Sequence, residues 1–268
     1  MPADDIDSKI EEAERKLDTY ETMERHFDER RREEQMAEAE RGMHAYEAIE
    51  ARFEQQRRDA SVVIATLLVA ACAWNVLCGL WDFLGQPLAG PTMTYGVEII
   101  GIVMLLFMVK MTSFTFEDMG IGTKNLKHSL IRSAIISAIL VAVMVVAKFV
   151  ILQVKPDFFA ADAPFFDVSR ITFVYIFTSI LQEYLCRGVT QECLMRIFDG
   201  KGGTAIAIGI TAVFFASLHI YYGFLMMLGA GLLSVVLGIL YAQDRNVWGL
   251  SLIHYVIGTC GLAIFAIA

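Results

Sequence analysis

The chain changes character near residue 60, where a polar segment with a helical pattern gives way to long apolar runs. In the polar segment, apolar residues recur three or four positions apart in two series, separated by the charged stretch Asp28–Gln35. This spacing is typical of an amphipathic α-helix, so we predict two short helices or one long helix with a break. The two series are Ile6, Ile10, Ala13, Leu17, Tyr20 and Phe27, then Met36, Ala39, Met43, Tyr46, Ile49 and Phe53.

The apolar face of this predicted helix allows two interpretations. It could pair with a second copy as a coiled coil, which would make the protein a homo-oligomer through its N-terminal helix. It could also belong to a solvated, charged helix that leads into the membrane. Fewer than four clean heptads are present, so the pattern does not decide between the two.

From Ser61 onward the apolar runs are long enough to cross a bilayer as helices, which takes about 20 apolar residues each. We therefore predict an all-α fold, a polytopic helical membrane protein of about seven transmembrane helices with an N-terminal cytoplasmic charged helix. The predicted spans are approximately 61–84, 94–113, 129–154, 169–197, 204–221, 223–242 and 246–267.

Basic residues predict the orientation of these spans. With a cytoplasmic N-terminus, nine Lys and Arg side chains flank the inner ends, whereas the outer loops hold only Lys155 and Arg170. Cytoplasmic loops are enriched in Lys and Arg, so we predict that the N-terminus is cytoplasmic. The nine residues are Arg57, Arg58, Lys110, Lys124, Lys127, Arg132, Arg196, Lys201 and Arg245.

Composition supports a division into two segments. Residues 1–60 hold 19 acidic and 11 basic side chains, whereas the 11 acidic and 11 basic side chains of the remainder cancel. We predict a cytoplasmic charged helical or coiled-coil segment over 1–59 and a transmembrane domain, surrounded by membrane lipid, over 60–268. No basic patch lies outside the acidic head, so nucleic-acid binding is not expected. All five cysteines lie in apolar runs, which excludes a secreted disulfide scaffold.

Ionisable side chains inside the predicted spans are candidates for function, because each is costly in hydrocarbon. Glu98 and Lys148 lie near outer span ends, where an ion pair or snorkelling to the interface explains them. Glu183 and Arg187 are four residues apart, so they share a helix face and can pair. The remaining two are His219 and His254, on later spans.

The depths of these residues predict a common site. Glu183 and His219 lie 18 residues before and 18 residues after Lys201, which is central in a helix-breaking turn. With a rise of about 1.5 Å per residue, an antiparallel hairpin brings both to one level. His254 is about eight residues into a helix that starts on the same side. We predict a partly water-filled pocket in the cytoplasmic half of the bilayer, lined by Glu183, Arg187, His219 and His254.

Such a set of groups suits hydrolysis. A carboxylate can accept a proton from water, and imidazole or guanidinium groups can stabilise the oxyanion of a tetrahedral intermediate. Glu183, His219 and His254 could instead bind a divalent metal such as zinc. The His-Glu-x-x-His arrangement of zinc proteases is missing, so a metal is not required. Cys186, beside Arg187, is interpreted as a packing residue.

Three motifs in this region resemble those of the CPBP or Abi intramembrane proteases, a family of CAAX proteases and bacteriocin-processing enzymes. Members share Glu-Glu-x-x-x-Arg on one span, Phe-x-x-x-His on the next, and His-x-x-x-Asn two spans further on. Here 182–187, 215–219 and 254–258 look like these motifs. The resemblance covers about residues 165–265. It implies an intramembrane endopeptidase, in a bacterial plasma membrane, that acts on a membrane-associated peptide or protein.

Two positions depart from the family pattern, since Gln182 replaces the first Glu and Gly258 replaces the Asn. A neutral amide cannot act as a general base, so Glu183 would activate water and Gln182 would hydrogen-bond it. His219 would hold the water, while Arg187 and His254 would steady the developing charge.

The same departures leave a non-catalytic alternative open. In that interpretation the protein is a membrane scaffold or regulator of the same fold that binds a peptide or a partner protein, with the acidic N-terminal helix as its docking arm. A third interpretation is a small-solute or proton-coupled transporter, but no internal repeat is evident to support it.

Overall fold

The structure is a computed structural model that describes residues 3–85, 90–159, 164–167, 173 and 175–265. Within its helices, the side chains of 3–14, 18, 21, 90–95, 97 and 221 are not described. Ile6, Ile10 and Ala13 of the N-terminal pattern therefore lie outside the described side chains, and Arg170 of the outer loops lies outside the described residues.

Helices are the only regular structure among the described residues. Helix α1 spans Ala3–Phe83, α2 Gly90–Met111 and α3 Leu126–Val154. Helix α4, Tyr175–Glu183, continues through a π-helical segment, Tyr184–Gln191, into α5, Glu192–Ile197. The last three are α6, Gly203–Ser217, α7, Phe224–Asp244, and α8, Val247–Phe265. Two 3₁₀ turns occupy Pro156–Phe158 and Ile220–Tyr222.

Contacts divide the chain into two compact units, Met1–Glu54 and Gln55–Ala268. The described part of the first unit belongs entirely to α1, which runs through Asp28–Gln35 without interruption. Of our two sequence-based alternatives for this segment, one long helix is therefore found, but without the break. Its described apolar side chains are exposed: Leu17, Tyr20, Phe27, Met36, Met43, Tyr46, Ile49 and Phe53.

The second unit has the helices of a membrane protein. Four helices of the described chain contain windows long and apolar enough to cross a bilayer, within Arg15–Phe83, Leu126–Val154, Phe224–Asp244 and Val247–Phe265. Many of their large apolar side chains are exposed, as expected of helices that face lipid. The all-helical membrane fold agrees with the sequence prediction, while the count of seven spans and the cytoplasmic N-terminus stay predictions.

Ion pairs join helices and turns at one end of the second unit. Arg196 lies 3.7 Å from Asp118, and Arg57 lies 3.4 Å from Asp199. Arg245, in the turn between α7 and α8, pairs with the buried carboxylate of Glu192 on α5. We call this end, which carries many of the basic residues, the basic end.

Glu98 and Lys148, which we explained as an ion pair or as snorkelling side chains, have separate partners. Thr178 donates a 2.6 Å hydrogen bond to Glu98. Lys148 is buried and donates to the backbone carbonyl oxygens of Pro164, Phe165 and Ile264. The ammonium group therefore ties the end of α3 to the end of α8.

Helix α8, which carries His254, is held against α3 by small residues. A Cβ atom at Gly249 would lie 2.2 Å from Oγ of Ser129 and 2.7 Å from Oγ of Ser133. Only a glycine allows this close approach, which is a common way for helices to pack in membranes. The packing fixes the position of the next turns of α8, where His254 lies.

Candidate active site

Glu183, the last residue of α4, is central in a chain of buried polar contacts. Its Oε1 accepts a 2.8 Å hydrogen bond from Nδ1 of His254, and its Oε2 lies 3.2 Å from Nε of Arg187. The exposed fraction is 0% for Glu183 and Arg187 and 2% for His254. A buried charge is costly unless it is paired and hydrogen-bonded. The carboxylate and the guanidinium thus stabilise each other in the interior.

Arg187 is itself held by α7 and α6. Its Nη2 donates hydrogen bonds of 3.0 Å to the carbonyl oxygen and 2.9 Å to Oγ of Ser234. The guanidinium carbon lies 5.4 Å from the ring centroid of Phe215, a cation–π contact. Helices α6 and α7 through Arg187, and α8 through Glu183, therefore fix the position of this ion pair. The adjacent Cys186 packs with Phe215 and Ala230 in a small buried cluster.

The helix changes its winding at this point. Tyr184–Gln191 is π-helical, and Oγ1 of Thr190 donates to the carbonyl oxygen of Leu185, five residues earlier. The π-helix is rare and is frequently found at functional sites. Glu183 and Arg187 pair as their four-residue spacing predicts, although the wide turn between them was not foreseen from a 3.6-residue period.

His219 lies in a turn rather than inside a helix. Helix α6 ends at Ser217, so the predicted span 204–221 is too long, and His219 precedes the 3₁₀ turn Ile220–Tyr222. Its Nδ1 is 2.8 Å from the carbonyl oxygen of Phe215. A carbonyl oxygen only accepts, so Nδ1 carries the hydrogen and Nε2 has the lone pair. The ring centroid of Phe215 is 4.5 Å from that of His219 and 5.4 Å from that of His254.

Tyr175, the first residue of α4, belongs to the site although it was not among the predicted site residues. Its hydroxyl is 3.1 Å from Nε2 of His254. In the neutral ring, donation from Nδ1 to the Glu183 carboxylate makes Nε2 the acceptor and the tyrosine hydroxyl the donor. A usable signal was the eight-residue spacing to Glu183, which puts both residues on similar faces of one helix.

A cavity of about 940 Å³ lies beside these residues. Tyr175, Phe215, His219, Tyr222 and His254 line one part of it, and apolar side chains of α3, α7 and α8 line most of the rest. Its lining extends to Phe159, Phe224 and Phe265, which lie at the ends of helices opposite the basic end. The cavity therefore extends from the site away from the basic end. The cytoplasmic half as its location stays a prediction, like the orientation of the spans.

The predicted site residues are thus brought together unequally. Glu183 contacts both Arg187 and His254, and His219 joins them through the ring of Phe215. Glu183, Arg187 and Gln182 do not line the described cavity. Oε1 of Gln182 is buried and has no hydrogen-bond partner among the described residues.

The suggested metal ligands are engaged in other contacts. Nδ1 of His254 bonds to Glu183 and Nε2 bonds to Tyr175, so neither ring nitrogen is free for a metal. Within the described ranges, no group of three or more His, Cys, Asp or Glu side chains could hold a metal ion. The donor geometry gives no support to the set Glu183, His219 and His254 as zinc ligands.

Residues 164–260 match the family described as type II CAAX prenyl endopeptidase Rce1-like. This match confirms the resemblance to CAAX proteases drawn from the three motifs, and it covers every site residue from Tyr175 to Gly258. No curated protein matches the chain. No solved structure matches it.

Proposed function

Since residues 164–260 form a type II CAAX prenyl endopeptidase Rce1-like domain, we propose that the protein is an intramembrane endopeptidase. It hydrolyses a peptide bond of a membrane-associated substrate that enters the apolar cavity. The observation that carries this proposal is the position of His219, whose lone-pair nitrogen Nε2 belongs to a side chain that lines the cavity next to the Tyr175–His254–Glu183 chain.

In the proposed reaction, His219 rather than Glu183 activates the water, because the Glu183 carboxylate is enclosed behind His254. Nε2 of His219 takes a proton as the water oxygen bonds to the carbonyl carbon and the C=O electrons move onto oxygen. When the intermediate collapses, the C–N bond breaks and the imidazolium returns the proton to the leaving amine. Glu183 and Arg187 act as positioning residues that hold the His254 ring.

The lining of the cavity supports a lipidated substrate. Nearly all of its walls outside the site are aliphatic or aromatic, which suits a hydrocarbon chain better than a polar leader peptide. We therefore propose a peptide with a prenylated cysteine near its C-terminus, the substrate class in the printed name of the matching family.

Cleavage by the full-length protein tests this proposal. The protein is purified in detergent and incubated with a farnesylated peptide ending in a CAAX sequence, and the released tripeptide is measured by mass spectrometry. His219→Ala should lower the rate at least about 100-fold, the usual contribution of general-base catalysis. The matched control is His128→Ala, an exposed histidine outside the cavity, which should leave the rate unchanged. Full cleavage by His219→Ala would overturn the proposal.

A non-catalytic scaffold is the second candidate, and the enclosure of Glu183 together with the neutral Gln182 favours it. A scaffold would bind the farnesylated peptide without cleaving it, and His219→Ala would bind equally well. A metal-dependent enzyme would be a third outcome. It would lose cleavage in EDTA and recover it when zinc is added.

A further inference from the structure

Position 258 carries no side chain, and Tyr175 fills the space. A Cβ atom on Gly258 would lie 2.6 Å from Cε1 and 2.7 Å from Oη of Tyr175. Such distances are far below van der Waals contact, so the tyrosine ring can occupy its place only because residue 258 is glycine. Gly258 is one turn beyond His254 on α8, and Tyr175 opens α4, so the contact joins the two helices beside the imidazole.

The Tyr175 side chain occupies the space that a side chain at position 258 would need. From this replacement we infer that the Tyr175 hydroxyl serves as the oxyanion donor of the site. It takes over the place of the amide that the His-x-x-x-Asn motif would put at 258. The inference rests on the proposed hydrolysis. A neutral imidazole with its hydrogen on Nδ1, bonded to Glu183, has none on Nε2 to donate to an anion.

The hydroxyl has the position and the chemistry for this role. It lies 3.1 Å from Nε2 of His254, and its side chain lines the same cavity as that of His219. In the reaction its hydrogen bond moves from His254 to the carbonyl oxygen of the substrate as negative charge develops there. Tyr175 keeps its proton throughout, so no bond to the enzyme forms and the proton transfers remain those of His219.

Substitution of the hydroxyl alone tests the inference. Tyr175→Phe keeps the ring that fills the space, and it should lower kcat by about 100-fold or more with KM changed less than about threefold, as for loss of one oxyanion donor. The matched control is Tyr255→Phe, which removes a hydroxyl from the neighbouring ring outside the cavity. Tyr175→Phe with a kcat within about threefold of wild type would overturn the inference.

An exchange of the two side chains provides a second variant. Tyr175→Ala combined with Gly258→Asn places an amide where the family pattern has one, and it should recover at least about tenfold in kcat over Tyr175→Ala alone. Gly258→Asn alone should lower the unfolding temperature, because the new side chain would overlap the Tyr175 ring. Adding Tyr175→Ala should restore the unfolding temperature. If the double variant recovers neither kcat nor the unfolding temperature, the replacement of a side chain at 258 by Tyr175 is contradicted.

Binding of a probe separates this inference from the proposed function. A farnesylated peptide phosphinate, whose anionic tetrahedral group resembles the intermediate, should bind to wild type more than about tenfold tighter than to Tyr175→Phe. If the wild type binds in this way but never cleaves, the endopeptidase proposal fails, while the Tyr175 hydroxyl is still a donor to an anion bound in the cavity. If Tyr175→Phe binds equally well, or the wild type does not bind, the inference is overturned.

Discussion

Nδ1 of His254 lies 2.8 Å from Oε1 of Glu183, a residue 71 positions earlier in the chain, and both side chains are buried. A buried carboxylate that accepts from one ring nitrogen fixes both the tautomer and the orientation of an imidazole. The opposite nitrogen is then held facing Tyr175. The same logic of a carboxylate behind a histidine appears in hydrolases of unrelated folds.

Glu183 is expected to be essential for stability through Arg187. Glu183→Gln leaves the guanidinium buried without its counter-charge, so the free energy of unfolding should fall by about 3–5 kcal/mol. Adding Arg187→Met removes the uncompensated charge and should recover most of this loss without restoring cleavage. Denaturant unfolding in detergent gives the stability, and the farnesylated-peptide assay gives the activity. Equal stability of wild type and Glu183→Gln would contradict the buried ion pair.

Gln182 is expected to contribute little, because its side chain does not line the described cavity and its Oε1 is buried without a partner there. Gln182→Leu replaces an unsatisfied polar group by an apolar one of similar size. The free energy of unfolding should therefore stay equal or rise by about 1 kcal/mol, with the cleavage rate within about threefold of wild type. A tenfold loss of cleavage would instead place this amide at the reacting water, as we first predicted.

Gly249 should tolerate no side chain, because a Cβ atom there would lie 2.9 Å from the backbone carbonyl carbon of Ser129. Gly249→Ala should lower stability by about 1–3 kcal/mol through overpacking between α3 and α8. Gly209→Ala in α6 is the matched control, since nothing lies within 4 Å of its Cβ position. That change should raise stability by about 1 kcal/mol through helix propensity. Thermal unfolding of both variants measures the difference.

Self-association through the N-terminal helix remains a proposal, supported by the exposed apolar side chains of α1 in the first unit. Met43→Glu with Tyr46→Glu places charges on this face and should halve the particle mass in light scattering of the full-length protein. Arg41→Glu with His44→Glu alters the opposite face and should leave the mass unchanged. A monomeric wild type would support the solvated helix instead.

The sequence predicted the membrane class and the clustering of four polar residues, because long apolar runs and the cost of buried charge leave few alternatives. Spacing alone paired Glu183 with Arg187. Equal distances from Lys201 predicted that His219 lies level with Glu183, and in the structure the two are linked through Phe215 and His254. These predictions depend on the rise per residue of a helix and on which residues share a helix face. Both follow from residue spacing in the sequence.

Features that depend on contacts between distant segments were missed. The π-helical winding after Glu183 has no signature in a 3.6-residue period. Tyr175 joined the site because Gly258, 83 positions later, leaves room for its ring. The direction of the cavity depends on which helix ends separate, so the sequence did not predict that the cavity extends away from the basic end.

The wide winding of Tyr184–Gln191 also sets how the chain can change in length. If these residues wound as an ordinary α-helix without loss of a residue, α5 would rotate by about 100° relative to α4. Glu192 would then turn away from Arg245, although Glu183 kept its neighbours. Homologous chains should therefore either keep the π-helical winding between Glu183 and Glu192 or lack one residue there.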